Sequence, residues 1–366
     1  MNELIPVTKS SMPPFEEYVE EIRELWNSRW LSNRGALHKR FEVELAKKLD
    51  ATNIALFANG HVALEVAIDA FDLPEGGEVI TTAYTHCSTT HSIVRNNLIP
   101  VFCDVNEQDL TIDVEQIEKI ITKKTVAIVP THVYGNICDV EKIDVIAKKY
   151  NLRVIYDAAH AFAVNYKGRG IANFGDASMF SSHATKVFQT IEGGITVFND
   201  DEVFKKVDNL TNFGFVGPES VDYISTNARM NEFEAAMGLC NLRYFDAEIA
   251  KRKIVSDKYT ELLSGVKGIK LSQEQKGVSR NYSYFVAFFD GYKKNRNEIQ
   301  YQLQQENILA RKYFYPIITE LNCYKDLYPN NNTPIAKHAA ETVLSLPMYA
   351  DLSIENVEKI CKIILE

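Results

Sequence analysis

A chain of 366 residues exceeds what one core of ordinary size supports, so two domains are expected. Apolar residues at 46% and charged residues at 24% exclude a disordered chain, and a formal charge of -9 disfavours nucleic acid, which needs a basic surface. No apolar run reaches the roughly 18 residues of a membrane span, and MNELIPVTKSSMPPFEEYVEEI lacks the basic start and apolar core of a secretion signal, so no membrane partner is expected.

Residues 14–27 and 37–49 have the spacing of amphipathic helices, with Phe15, Val19, Ile22 and Trp26 recurring in the first. Between them, SRWLSNRG is turn-rich and carries Arg29 and Arg34. From residue 54, short apolar strands (54–57, 78–82, 100–105, 126–130, 152–157, 177–180 and 195–198) alternate with helices near 60–72, 87–96, 113–121, 139–150 and 201–210. Strands apolar throughout and separated by helices predict an α/β fold, a mainly parallel seven-stranded sheet between helices. After residue 230 the texture changes. A long helix beginning NEFEAAMG leads to the aromatic strand YSYFVAFF (282–289), a helix near 294–306, the segment ARKYFYPI and a closing helix near 353–365. This predicts an N-terminal segment and large domain over 1–230 and, over 231–366, a long connecting helix and a smaller C-terminal α+β domain, packed closely because no Gly/Ser linker intervenes. The cysteines, Cys87, Cys103, Cys138, Cys240, Cys323 and Cys361, are scattered. That spacing predicts no metal site and fits a reduced, cytoplasmic compartment.

Three segments have the residue types for chemistry at strand ends, where open α/β sheets bind ligands. FANGHVAL (57–64) runs from strand through Asn-Gly into helix, so the amides of Gly60 and His61 can cradle a phosphate, although such a turn also serves as plain connection. LRVIYDAAHAF (152–162) ends a buried strand with Asp157, followed by His160. A carboxylate there needs a cation or proton donor, or else caps a helix. MFSSHATKVFQTIEGGITVF (179–198) delivers Ser181, His183 and Lys186 before a Gly-Gly return. The neutral neighbours of Lys186 suit an amine that must deprotonate; a surface lysine is the alternative.

With Asp157, AAHA, SSHATK and IEGG in that order, the chain resembles the DegT/StrS-type sugar aminotransferases, a fold-type I family dependent on pyridoxal phosphate. The resemblance runs from RWLSNRG through NGHVAL, DAAHAF, SSHATKVFQTIEGG and ARMNEFEAA to LSLPMY. It implies that Lys186 holds pyridoxal 5'-phosphate covalently and then moves a proton between substrate and cofactor. It implies that Asp157 pairs with the pyridinium nitrogen and keeps the ring an electron sink. His160 would contact the phenolic oxygen, His86 would stack on the ring, and Gly60, His61 and Ser181 would hold the phosphate. Asn227, in STNARMNE, matches an asparagine that reaches the phosphate in the neighbouring subunit, which implies a homodimer with shared active sites. Three departures stand out: His61 where the family has Thr, Ser182 where Phe is usual, and Ala163 where Gly is common.

Relatives with His in place of the lysine act as sugar dehydratases; the lysine here implies transamination. IPVTKSSMPP, CDVEKI and ARKYFYPI with LNCY resemble the 4-aminotransferases of the family. The implied reaction takes dTDP-4-keto-6-deoxyglucose to dTDP-4-amino-4,6-dideoxyglucose with glutamate as donor. A 3-aminotransferase on a dTDP-3-keto-6-deoxyhexose, a dehydratase and a non-catalytic sugar-nucleotide sensor are the other readings. Arg29, Arg34, Arg229 and Tyr313 are the candidates for nucleotide phosphates or sugar hydroxyls, with surface ion pairing or core packing as their alternative roles.

Overall fold

Strands with apolar side chains on both faces need cover on both sides. In the computed structural model, which describes residues 3–328 and 332–366, seven of them form one sheet. They are β1 (Asn53–Phe57), β2 (Glu78–Thr82), β3 (Ile99–Cys103), β4 (Thr125–Ile128), β5 (Arg153–Asp157) and, after the short β6 (Asn165–Tyr166) and β7 (Arg169–Gly170), β8 (Ala177–Ser181) and β9 (Gly194–Phe198). Their order is β1-β9-β8-β5-β4-β2-β3. β9 alone runs against the rest, antiparallel to β1 and β8. The other neighbours are parallel, as expected.

Strand alternation sorts the helices into two layers. These helices are α1 (Phe15–Ser28), α2 (Ala36–Leu49), α3 (Gly60–Asp69), α4 (Cys87–Arg95), α5 (Val114–Ile120), α6 (Val140–Tyr150) and α7 (Asp201–Leu210). Ile54 and Leu56 of β1 face a core shared with Phe41 of α2 and Ile143 of α6. Ala55 and Phe57 face another, shared with Leu64 of α3, Ile93 of α4 and Leu210 of α7. In α1 the apolar stripe is only partly used: Leu25 is buried, while Phe15 and Trp26 are exposed.

Beneath the sheet's carboxyl edge, His132 stacks on Tyr156 at 4.5 Å and accepts a hydrogen bond from the Cys138 N–H at 3.0 Å. Burial pulls its pKa down to about 3. The unfolded chain therefore takes up a proton below its ordinary pKa of about 6.5 that the folded chain refuses, so this stabilisation is lost as pH falls. Urea unfolding should show wild type losing about 1.4 kcal/mol per pH unit relative to His132→Gln below about pH 6. Identical pH slopes for the two proteins would contradict the assignment.

After the ribbon of β10 (Phe215–Gly217) and β11 (Ser220–Val221) comes α8 (Glu232–Leu263), opened by a capping box in which Asn231 and Glu234 satisfy each other's backbone amides. The remaining elements are β12 (Ile269–Leu271), β13 (Val278–Ser279), β14 (Phe285–Phe289), α9 (Arg296–Gln305), α10 (Pro334–Thr342), β15 (Val343–Leu346) and α11 (Ile354–Leu365). β12, β14 and β15 form an antiparallel sheet, with Val255 and Tyr259 of α8 and Ile360 of α11 packed in its core.

Along its length α8 gives Ala235, Leu239 and Phe245 to the large core and Val255, Tyr259 and Leu263 to the small one. The structure differs from the expected organisation in two places. The chain's beginning belongs with the small domain: the Ile5 N–H donates to the Asn307 carbonyl, the Leu309 N–H to that of Ile5, and the Met348 N–H to that of Val7. The expected strand 282–289 starts only at Phe285, because residues 281–284 turn toward the large domain. Among the described residues, no helix is long and apolar enough to cross a membrane.

Candidate active site

The carboxyl ends of β1, β2, β4, β5 and β8 open into a cleft of about 420 Å³. Asp157, the last residue of β5, is 3% exposed there. Its Oδ2 accepts from the Thr89 hydroxyl at 2.6 Å and its Oδ1 from the Ala159 N–H at 3.1 Å. Thr85 extends this network, at 2.9 Å from the Thr131 hydroxyl and 2.8 Å from that of Thr89. Among the described residues Asp157 makes no ion pair, so a buried carboxylate is held by neutral donors and left open to a cation.

Lys186 follows β8 in the loop before β9 and lines the same cleft. Its Nζ lies 3.4 Å from the Tyr284 hydroxyl. Two imidazoles flank it. His160 Nδ1 accepts from the Tyr134 N–H at 3.0 Å, and burial, with Lys186 adding to it, pushes the ring's pKa well below the ordinary histidine value. The neutral ring therefore has its proton on Nε2, its one donor. His86, the N-cap of α4, accepts from the Ser88 N–H at 3.2 Å through Nδ1. Its pKa is also lowered, first by burial and then by Lys186.

At the start of α3 the Asn59 side chain accepts from the Val62 N–H at 2.9 Å, and the Asn59 carbonyl accepts from the Ala63 N–H. The amides of Gly60 and His61 are left without acceptors among the described residues, as an anion cradle requires. Here glycine is needed for close approach: a Cβ on Gly60 would lie 2.9 Å from that of Ser181. Gly60→Ala should push the helix start away from Ser181 and weaken binding of pyridoxal phosphate about tenfold in a fluorescence titration. An unchanged affinity would contradict this cradle.

Of the residues expected from sequence, Gly60, His61, His86, Asp157, His160, Ser181, Lys186 and Tyr313 all line the cleft. The His61 imidazole also meets residues of its own chain: its Nδ1 is 2.8 Å from the Ser88 hydroxyl and its Nε2 lies 3.6 Å from Glu65. Arg29 is exposed at the end of α1, and Arg229 is tied to Asn227 by a bond of 3.3 Å; both, with the exposed Asn227, lie outside their own chain's cleft. Arg34 is paired with Glu42 at 3.0 Å and with Asp208, which is an ion-pair role.

The departures have local reasons. Ser182 is buried with its hydroxyl 2.7 Å from that of Thr190, and Ala163 has φ 56°, the left-handed region that explains a usual glycine. Sequence reasoning missed Thr89, Tyr284 and Arg311. HCSTT does show a hydroxyl three residues beyond His86, on the same helix face, which is the signal for Thr89.

The donor set fits pyridoxal phosphate: an open buried carboxylate for the ring nitrogen, an amine for the aldehyde, free helix amides for the phosphate, and flat neutral imidazoles beside the ring. Over residues 15–365 the chain matches the DegT/DnrJ/EryC1/StrS aminotransferase family. It is 40% identical over 365 residues to the dTDP-4-amino-4,6-dideoxy-D-glucose transaminase of Escherichia coli, covering 99% of this chain and 98% of that protein. It is 32% identical to the GDP-perosamine synthase of Escherichia coli O157:H7, again over 99% and 98% of the two chains. The crystal structure of DesI with its TDP-sugar product has a TM-score of 0.94 at 28% identity, covering 100% of this chain and 93% of that one.

Proposed function

Because the chain belongs to the DegT/DnrJ/EryC1/StrS aminotransferase family, we propose that it aminates the 4-keto carbon of dTDP-4-keto-6-deoxyglucose, with glutamate as donor. The product would be dTDP-4-amino-4,6-dideoxyglucose. The observation that carries the chemistry is the opening of Lys186 and Asp157 into one cleft; the 40% identity supports the choice of sugar. When bound, pyridoxal phosphate supplies the electron sink through which an amino group leaves the donor and reaches the keto carbon.

The chain's own residues do the rest. The Asp157 carboxylate, oriented by Thr89 and Ala159, holds the ring nitrogen's proton. Lys186 Nζ carries the proton between carbons, the amides of Gly60 and His61 with Ser181 bind the phosphate, and neutral His160 donates from Nε2. His86 supports the ring face. Arg311 lines the cleft and has no ion pair among the described residues, so it offers a cation to anionic substrates; Tyr313 lies beside it, under its guanidinium at 5.2 Å.

We also infer a homodimer with shared sites, in which Asn227 and Arg229 serve the partner's cleft and Arg29 meets substrate at its edge. Its support is apolar exposure around Asn227: Phe213, Phe215, Val216 and Ile224 all face outward. A cytoplasmic location is supported by the six free thiols.

Incubation with glutamate and the 4-keto sugar nucleotide, with the product identified by NMR, tests the reaction. An amine on C-4 is expected. No turnover of the 4-keto sugar together with amination of a dTDP-3-keto-6-deoxyhexose would replace it with 3-amination, deoxysugar with free ammonia would indicate dehydration, and no spectral response to glutamate would indicate a sensor. Sedimentation of the loaded enzyme as a monomer with full activity would contradict the shared site.

A further inference from the structure

We propose that Tyr284 is a positioning residue for Lys186: its hydroxyl receives the amine when that amine is free and steadies the ammonium formed when it takes up a proton. The inference rests on the aminotransferase reading. Its first observation is the 3.4 Å contact between Nζ and the phenolic oxygen.

The second is how Tyr284 is fixed. It ends the irregular stretch 281–284, just before β14 in the small domain. Asn281 Nδ2 donates to the carbonyls of His160 at 2.9 Å and Phe162 at 3.1 Å, and the Ser283 hydroxyl donates to His160 at 2.7 Å. The backbone that follows Asp157 thus clasps the segment that presents Tyr284. The tyrosine ring also packs on His160, with centroids 4.6 Å apart. The Asp157 carboxylate and the Tyr284 hydroxyl are therefore both tied to one piece of chain, residues 157–162.

The chemistry balances without another reactant. A proton leaves the α-carbon of the donor for the lone pair of Nζ, which becomes an ammonium, while the electron pair of the broken C–H bond would pass to the bound cofactor. One ammonium N–H then points to the Tyr284 oxygen, and the ammonium would return its proton on the cofactor side, which frees the amine for the reverse transfer to the acceptor carbon. Hydrogen bonds to a charged donor are stronger than those to a neutral one, so the hydroxyl favours the protonated lysine. Burial pushes the Tyr284 phenol up to about 12, so it remains a hydroxyl throughout the working range.

Tyr284→Phe keeps the ring and removes only the oxygen. In the loaded enzyme, kcat should fall about tenfold with KM for either substrate within about threefold. The isotope effect from deuterium on the glutamate α-carbon should rise, because proton removal becomes slower. In the full chain freed of cofactor, the pH midpoint for labelling Lys186 with acetic anhydride should move down by roughly half a unit or more. His61, His86, Asp157, His160, His183, Glu192, Arg311 and Tyr313, the other titratable and charged groups lining that cleft, are the same in both proteins. An unmoved midpoint, or a kcat within about twofold of wild type, overturns the proposal. If wild type makes no amino sugar, the functional reading fails, while the labelling midpoint still decides the role of Tyr284.

Discussion

Lys186→Ala should abolish amino-sugar formation, a loss of about 10⁴-fold or more. Lys186 is the one lysine among the residues lining the cleft, so no other amine stands ready to replace it. Arg311 cannot do so, because a guanidinium does not give up its proton at any working pH. The residue sits in the loop between β8 and β9 and is only partly buried, so its truncation leaves the sheet intact. Thermal unfolding of the variant should therefore match wild type within a few degrees. Lys186→Arg, which keeps charge and length but no nucleophile, should be equally inactive. Product counting by mass spectrometry checks both variants; turnover above about 1% of wild type in either would contradict the assigned role.

Asp157→Ala should come next in size, about 10³-fold in kcat, with a loss of stability as well. The carboxylate answers two donors, the buried Thr89 hydroxyl and the part-buried Ala159 N–H. Truncation leaves the Ala159 N–H without an acceptor, at about 1–3 kcal/mol. Asp157→Asn separates the two effects. Its single carbonyl oxygen can take one donor, and Thr89 can turn its hydroxyl to Thr85, 2.8 Å away. The asparagine variant should thus fold nearly as well as wild type yet remain almost as inactive as the alanine one, because the negative charge is gone. An asparagine enzyme retaining more than about a tenth of wild-type kcat would show that the charge is not needed.

The central sheet was legible because its strands are apolar runs set off by turn residues, and because alternation with helices admits few topologies. Asp157, Ser181 and Lys186 were legible for a related reason: they are polar residues at the ends of such runs, where the fold places its ligands. What escaped depends on contacts between distant parts of the chain. Tyr284 lies in YSYFVAFF, whose aromatic content reads as strand throughout, and only the clasp of Asn281 and Ser283 onto the His160 carbonyl bends it away. Ile5 pairs with residues more than three hundred positions later, which no local pattern reveals. The α1 stripe at Phe15 and Trp26 has helical spacing, but periodicity does not say what buries it. For His61, residue type points to a phosphate donor but does not reveal the Ser88 hydroxyl 2.8 Å from its Nδ1.

Borohydride reduction of the pyridoxal-phosphate-loaded protein, followed by proteolysis and peptide mass mapping, tests the central assignment most directly. Reduction fixes the cofactor to whichever amine holds it. The adduct is expected on the peptide containing Lys186 and on no other. A modified lysine elsewhere, or an unmodified Lys186 in protein that is visibly loaded, would contradict the account.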